Sequence, residues 1–135
     1  MNDPKKTFLF KVKFLRDKRI YRIIEILGGQ TLDNLHSAII EAYDFDSDHL
    51  YSFFMNNKAW SDKEYEYCSP YSKGRHADTI RISDLHIPKK FLYLYDFGDE
   101  WKFEVEFQEN GTQRPRRKYP RVIKIIGESP EQYGQ

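Results

Sequence analysis

The sequence lacks most of the patterns that identify an enzyme or a membrane protein. Its 135 residues include a single cysteine, Cys68, so no disulfide can form within the chain, which suits a reducing compartment. Neither a glycine-rich phosphate-binding motif nor a Gly-x-Ser-x-Gly nucleophile motif is present. No apolar run is long enough for a signal peptide or a membrane-spanning helix. These absences predict a cytoplasmic protein that does not enter a membrane, and they give nucleophilic catalysis no support.

A dominant charge of either sign is also missing. The 22 Lys and Arg residues nearly balance the 21 Asp and Glu residues, and the net charge at pH 7 is +1. The whole chain therefore exerts no strong field that would attract nucleic acid or a membrane surface. The charges are unevenly distributed, because both ends are basic and the middle is acidic. Local segments are the candidates for electrostatic recognition.

Aromatic side chains are abundant, and their clearest pattern covers residues 91–107. Bulky side chains occupy every second position on either side of a Gly98-Asp99-Glu100 joint; they are Phe91, Tyr93, Tyr95, Phe97, Trp101, Phe103, Val105 and Phe107. Successive side chains of a strand point to opposite faces, so the pattern predicts a hairpin whose two strands each have one buried face. We expect Trp101 and Phe103 to pack against a helix face that carries Leu35 and Ile39.

Similar patterns predict the other elements of a single domain over residues 1–135. Alternating segments at 7–15 and 20–27 indicate a hairpin, and helical apolar spacing at 32–43 after a capping Thr31 indicates a helix. The remaining predicted segments are a strand at 49–55, an irregular insertion at 58–78, and short strands at 79–82 and 122–126. The predicted fold class is α+β: one mixed or antiparallel sheet with one main packed helix. Its order, ββα followed by further strands, is also that of a β-grasp.

Several of these segments resemble one known family. The stretch Tyr95-Asp96-Phe97-Gly98-Asp99, followed by Trp101, resembles the signature of the plasmid pRiA4b ORF-3-like family. Four further segments resemble the family's helix, the strand that follows it and its C-terminal segment, in the same order: residues 31–39, 48–53, 119–121 and 129–134. The resemblance implies an α+β fold, a bacterial or archaeal protein and no established activity.

The chain departs from this family where relatives could build a metal site. Many relatives have a histidine at the position of Phe103, and many have cysteines near the positions of Val122 and Tyr133. Tight zinc sites are usually completed by four such ligands. We therefore predict no cofactor and no tightly bound transition metal.

A candidate polar site consists of Asp96, Asp99 and Glu100 at the hairpin joint, together with His36 and His49. Clustered carboxylates can hold a divalent cation or serve in acid–base chemistry. The same carboxylates can instead cap backbone N–H groups of a turn. The two histidines can likewise be partly buried side chains that orient a loop, and they do not by themselves complete a zinc site.

A second candidate site is the basic segment before the last predicted strand, where nucleic acid could bind. Its residues are Arg114, Arg116, Arg117, Lys118, Tyr119 and Arg121. Cations can contact phosphates while a tyrosine stacks on a base. The alternative is a solvated basic loop that balances the acidic middle of the chain.

These features together favour a non-catalytic binding or interaction module of unknown partner. A protein is the first partner class and nucleic acid the second, with the aromatic and basic C-terminal region as the expected surface. The alternative is a metal-dependent hydrolytic enzyme that uses Asp96, Asp99 and Glu100 with His36 or His49. An enzyme would require these groups to converge in one concave pocket.

Overall fold

One seven-stranded antiparallel sheet dominates the protein, whose computed structural model describes residues 5–133. Its strands are β1 (Lys6–Phe14), β2 (Tyr21–Leu27), β3 (Tyr51–Phe54), β4 (Glu66–Cys68), β5 (Lys90–Tyr95), β6 (Trp101–Thr112) and β7 (Arg121–Ile126). They are ordered β4-β3-β5-β6-β1-β2-β7, and each neighbouring pair is antiparallel. One α-helix, α1 (Leu32–Ala42), and three single turns of 3₁₀ helix (Lys63–Tyr65, Ala77–Thr79 and Ile82–Asp84) complete the described part of the chain.

The prediction of an α+β class is wrong, because the fold is mostly β. Within residues 5–133 the only α-helix has 11 residues, whereas strands and isolated β-bridges together make up 39% of the described residues. The mixed sheet and the β-grasp topology are also wrong, since no parallel pair of strands joins the sheet in this region. The error has a physical origin. The order ββα was read correctly, but the pairing of β1 with the distant β6 cannot be read from local periodicity.

The helix forms where the sequence predicts it, and its start is fixed by reciprocal capping. Thr31 Oγ1 accepts a hydrogen bond from the Asn34 backbone N–H at 3.2 Å, and Asn34 Oδ1 accepts one from the Thr31 N–H at 2.9 Å. This arrangement satisfies backbone donors that a helix start leaves free. The apolar side of α1 is fully buried against the sheet through Leu32, Leu35 and Ile39.

The hairpin at 91–107 also forms, but β5 is buried on both faces and not on one. Its second face carries Leu92 and Leu94, which pack with Phe54 in a separate apolar cluster. Phe97 joins that second cluster instead of continuing the row begun by Phe91, Tyr93 and Tyr95. The alternation in the sequence predicted one buried face for β5, but aliphatic residues fill the positions between the aromatic ones and bury the second face as well.

The two aromatic residues that open β6 differ in their burial. Phe103 is fully buried in the main core, as predicted, and its ring lies 4.7 Å from that of Tyr43. Trp101 is only partly buried, and its ring packs against Phe14 at 5.9 Å and Phe45 at 5.0 Å. The prediction that Trp101 is buried against the helix is therefore wrong, because the chain after the helix provides its partner.

Residues 58–88 are more ordered than the sequence indicated. The predicted irregular insertion contains β4, which pairs with β3. The short strand predicted at 79–82 is replaced by two 3₁₀ turns and one isolated bridge between Thr31 and Arg81. This segment lies beside the start of α1, since the Leu32 N–H donates to the Ile80 carbonyl at 3.2 Å.

The sheet reaches α1 from two sides. Ser37 of the helix lines one cavity with Tyr51 of β3 and another with Val122 of β7. Because β3 and β7 belong to opposite halves of the strand order, the sheet curls around the helix, as strongly twisted sheets do. In the described part of the chain, the last strand, β7, pairs only with β2 and forms one edge of the sheet.

Candidate functional site

Two histidines predicted from the sequence lie in one pocket beside α1. His36 comes from the helix and His49 immediately precedes β3, and their rings flank Tyr95 with centroid distances of 5.9 and 5.8 Å. The concavity has a volume of about 230 Å³. We call it the histidine pocket; its lining residues are Asp33, His36, Ser37, Ser47, His49, Tyr51, Ser69, Pro70 and Tyr71.

His36 is held in the neutral state by its surroundings. It is 8% exposed, its Nδ1 lies 2.6 Å from the Tyr93 hydroxyl, and its ring stacks on Tyr51 at 3.7 Å. Burial lowers the pKa of His36 to about 4, although the Asp33 carboxylate acts in the opposite direction. The second ring nitrogen, Nε2, makes no hydrogen bond within the described residues.

Asp33 is the acidic residue of the histidine pocket, and sequence reasoning missed it. Its Oδ1 accepts a hydrogen bond from the Tyr51 hydroxyl. Burial, together with that bond and the Asp33 charge, raises the pKa of Tyr51 well above its ordinary value, so the hydroxyl stays protonated. One signal could have found Asp33: it lies three positions before His36, and such residues share a helix face.

His49 occupies the outer side of the histidine pocket among oxygen atoms. Its Nε2 lies 3.3 Å from Asp48 Oδ1, 3.4 Å from Asp96 Oδ2 and 3.1 Å from the Tyr133 hydroxyl. Tyr133 also donates to Asp48 at 3.3 Å. The C-terminal segment is thereby held against the loop that precedes β3.

Asp96 contacts His49 and also caps its own turn, which is the alternative role that the sequence indicated for it. Its Oδ1 accepts from the backbone N–H groups of Gly98 at 3.1 Å and Asp99 at 3.3 Å, and its φ is 65°. An aspartate that caps its own turn stabilises such a left-handed conformation. The structure thus brings Asp96 to His49 and uses the same carboxylate to fix the hairpin joint.

The other two predicted carboxylates do not enter the histidine pocket. Asp99 is exposed at the turn, and Glu100 Oε1 lies 3.4 Å from Lys102 Nζ. Across residues 5–133, no three His, Cys, Asp or Glu side chains gather in an arrangement that could hold a metal ion. The convergence that a metal-dependent hydrolase requires is therefore missing from the predicted set.

The predicted basic segment lies away from the histidine pocket and leads into β7. Arg114, Arg116, Arg117 and Lys118 are exposed. Tyr119 is partly buried; its hydroxyl accepts from the Arg114 N–H at 3.1 Å, and its carbonyl accepts from Gln30 Nε2 at 2.8 Å.

Arg121, the last residue of that predicted set, has a structural partner. Its Nε lies 3.0 Å from Oε1 of Glu25, a buried carboxylate that also accepts from the Thr7 hydroxyl at 2.8 Å. Arg114, Arg116, Arg117 and Lys118 of the loop before β7 and Lys124 within the strand are exposed, and their side chains contact no carboxylate among the described residues.

The fold and the pocket define the class of protein, a mostly-β domain in which one antiparallel sheet curls around a single helix. The family model of plasmid pRiA4b ORF-3-like proteins matches residues 6–134. The chain belongs to this family, which confirms the resemblance seen in its sequence. None of the helices within residues 5–133 has the length and apolar character needed to cross a membrane.

One similar sequence and one similar structure belong to proteins that are described as uncharacterized or of unknown function. The chain is 31% identical over 88 residues to the uncharacterized protein y4hQ of Sinorhizobium fredii (strain NBRC 101917 / NGR234). That match covers 62% of this chain and 45% of y4hQ, so the chain spans less than half of that relative's length. The crystal structure of the protein of unknown function MM3350 from Methanosarcina mazei Go1 is similar with a TM-score of 0.77 and 22% identity. The match covers 95% of this chain and 73% of the MM3350 chain, and the likeness concerns the fold alone.

Proposed function

We propose that this domain is a non-catalytic interaction module that binds an extended acidic segment of a partner protein along β7. The observation that carries the proposal is the open edge of the sheet. Within residues 5–133, β7 pairs with β2 and with no other strand, so about half of its backbone N–H and C=O groups face away from the sheet. An added peptide strand can satisfy such groups, which is a recurring mode of protein recognition.

The side chains of β7 support this role. Ile125 is 62% exposed, and Ile123 and Ile126 are also exposed. Edge strands are usually protected by charged residues or proline, whereas β7 offers three isoleucines and one lysine at its exposed positions. Isoleucine packs well against a neighbouring strand, so apolar residues of a bound peptide would find partners there.

The charge beside this edge indicates an acidic peptide. The four exposed cations Arg114, Arg116, Arg117 and Lys118 immediately precede β7, and Lys124 lies within it. Carboxylates on a docked strand would lie near these cations, and complementary charge mainly accelerates and orients association. Surface charges are screened by salt, so the affinity should fall as ionic strength rises.

The proposal is tested by fluorescence anisotropy with a labelled peptide of alternating valine and glutamate. We expect saturable binding, weaker binding of the valine–lysine peptide, and loss of binding when backbone amides of the peptide are N-methylated. The variant Ile125→Glu places a like charge on the edge and should weaken binding by about tenfold or more. Tyr65→Glu makes the same charge change at an exposed site before β4 and serves as the matched control.

Two results would overturn the peptide proposal. Equal affinity for the acidic and basic peptides would remove the role of the basic segment. Binding of single- or double-stranded DNA that requires Arg117 and Lys118, without any binding of the acidic peptide, would assign the basic segment to nucleic acid instead. No observation favours the metal-dependent hydrolase as a second function, because its proposed carboxylates point to different surroundings.

A further inference from the structure

The carboxylates are the fixed charges of the histidine pocket and its surroundings. Among the described residues that line it, Asp33 is the only acidic one, and none is a lysine or an arginine. His49 stands between two further carboxylates, at 3.3 Å from Asp48 and 3.4 Å from Asp96. A ligand of this concavity therefore meets a negative electrostatic field, which favours a cation.

Asp33 has an oxygen to offer such a cation. Its Oδ1 is engaged by the Tyr51 hydroxyl, whereas Oδ2 makes no hydrogen bond within the described residues. The side chain is half-buried at the wall of the pocket. A carboxylate in such partial shelter binds an ammonium group more strongly than a fully solvated one, because charge-assisted hydrogen bonds gain strength where water is scarce.

Two aromatic rings complete this cation-binding environment. Tyr51 and Tyr71 both line the pocket; Tyr51 stacks on His36, and Tyr71 is 91% exposed. The exposed ring of Tyr71 has a free face, and a cation placed over such a face is attracted by the ring quadrupole.

His36 adds a hydrogen-bond donor. The Tyr93 hydroxyl is fully buried, and His36 Nδ1 is its hydrogen-bond partner. A buried hydroxyl needs an acceptor, so it donates to Nδ1 and leaves the ring proton on Nε2. Since burial also keeps the imidazole neutral, His36 does not repel a cation at neutral pH.

We propose that the histidine pocket binds a small amino alcohol, with its ammonium group at Asp33 and its hydroxyl oxygen accepting from His36 Nε2. The hydroxyls of Ser37, Ser47 and Ser69 offer further partners to such a polar ligand. The volume of about 230 Å³ suits a compact molecule and lies below that of pockets for drug-sized ligands. This site is separate from the β7 edge and does not depend on the function proposed for it.

The test is a nuclear magnetic resonance titration of the whole chain with 3-amino-1-propanol. Two matched probes accompany it: 1,3-propanediol, which lacks the ammonium, and propylamine, which lacks the hydroxyl. We expect saturable shifts of the His36 and Tyr71 signals with the amino alcohol, and weaker binding of both matched probes. Saturation by the diol at the same concentrations, or no saturation by the amino alcohol, would overturn the proposal.

Variants locate the site. Asp33→Asn keeps an acceptor for Tyr51 but removes the charge, and it should weaken binding by about tenfold or more. Tyr71→Ala should weaken it by about threefold, and because Tyr71 is 91% exposed this variant keeps the fold even if Asp33→Asn is less stable. Tyr65→Ala, another exposed tyrosine outside the pocket, is the control. Unchanged affinity in both Asp33→Asn and Tyr71→Ala would refute binding at this place.

Discussion

Glu104 provides the sharpest test of how charge contributes to the stability of this domain. The residue is 5% exposed in β6, on the face opposite α1. Its Oε1 lies 2.9 Å from Lys13 Nζ and 3.3 Å from Lys18 Nζ, and its Oε2 accepts from Asn57 Nδ2 at 3.0 Å. Lys13 is itself buried and also contacts Glu106 at 2.9 Å.

The size of the effect follows from the pKa of Glu104. Burial opposes its ionisation, but the hydrogen bond from Asn57 and the Lys13 ammonium outweigh burial and lower the pKa from 4.5 to about 2. Because the folded-state pKa lies below the unfolded one, ionised Glu104 stabilises the protein above pH 4.5, and this stabilisation is lost as the pH falls towards 2. This lowering of the pKa corresponds to about 3 kcal/mol of stabilisation of the folded state at neutral pH. About 2 kcal/mol of that stabilisation is lost by about pH 3.

The prediction compares urea unfolding at about pH 6.5 and about pH 3 for three proteins. The variant Glu104→Gln cannot ionise, so its free energy of unfolding should fall by about 2 kcal/mol less than that of the wild type between the two pH values. Glu109→Gln, at an exposed position of the same strand, should behave as the wild type. An equal loss in wild type and Glu104→Gln would show that the lysines do not hold the carboxylate in its charged form.

Three further changes test the core, the helix and the cysteine. Phe103→Ala should lower the free energy of unfolding in urea by about 3–5 kcal/mol because Phe103 is fully buried. Trp101→Ala should lower it less because Trp101 is only partly buried, and equal losses would contradict this packing. Thr31→Ala should cost about 1 kcal/mol and Thr31→Ser much less, since only the hydroxyl caps the helix; equal losses would exclude the cap. Burial raises the pKa of the Cys68 thiol, so the folded protein should react with a thiol reagent at about pH 8 at least about tenfold more slowly than the urea-unfolded protein. Equal rates would show that Cys68 is accessible in the folded protein.

Local patterns in the sequence predicted the elements better than their assembly. The alternation in residues 91–107 and the Thr31 cap are properties of neighbouring residues, and both features are present in the structure. The pairing of β1 with β6 joins Phe14 to Phe103, and the pairing of β2 with β7 joins Glu25 to Arg121. These registers depend on which apolar faces meet after long loops close, and no local period encodes that choice.

The candidate polar site shows the same difference between local patterns, which the sequence reveals, and long-range contacts, which it does not. Sequence reasoning named both histidines, and the structure places His36 and His49 in one pocket although 13 positions separate them. It grouped three carboxylates because they are adjacent in sequence, yet only Asp96 reaches His49. Asp33 was missed because helical spacing was applied only to the apolar residues of the helix and not to its polar ones.

The two proposed sites attract ligands of opposite charge, so their ligands can influence each other. Ser37 lines both the histidine pocket and the groove beside β7, so both sites adjoin the same helix. An ammonium ion in the pocket and an acidic peptide on β7 would attract each other, and salt would weaken that attraction. Linkage requires each ligand to change the affinity for the other by the same factor. Each titration is therefore carried out without the other ligand, so that each result tests one proposal only.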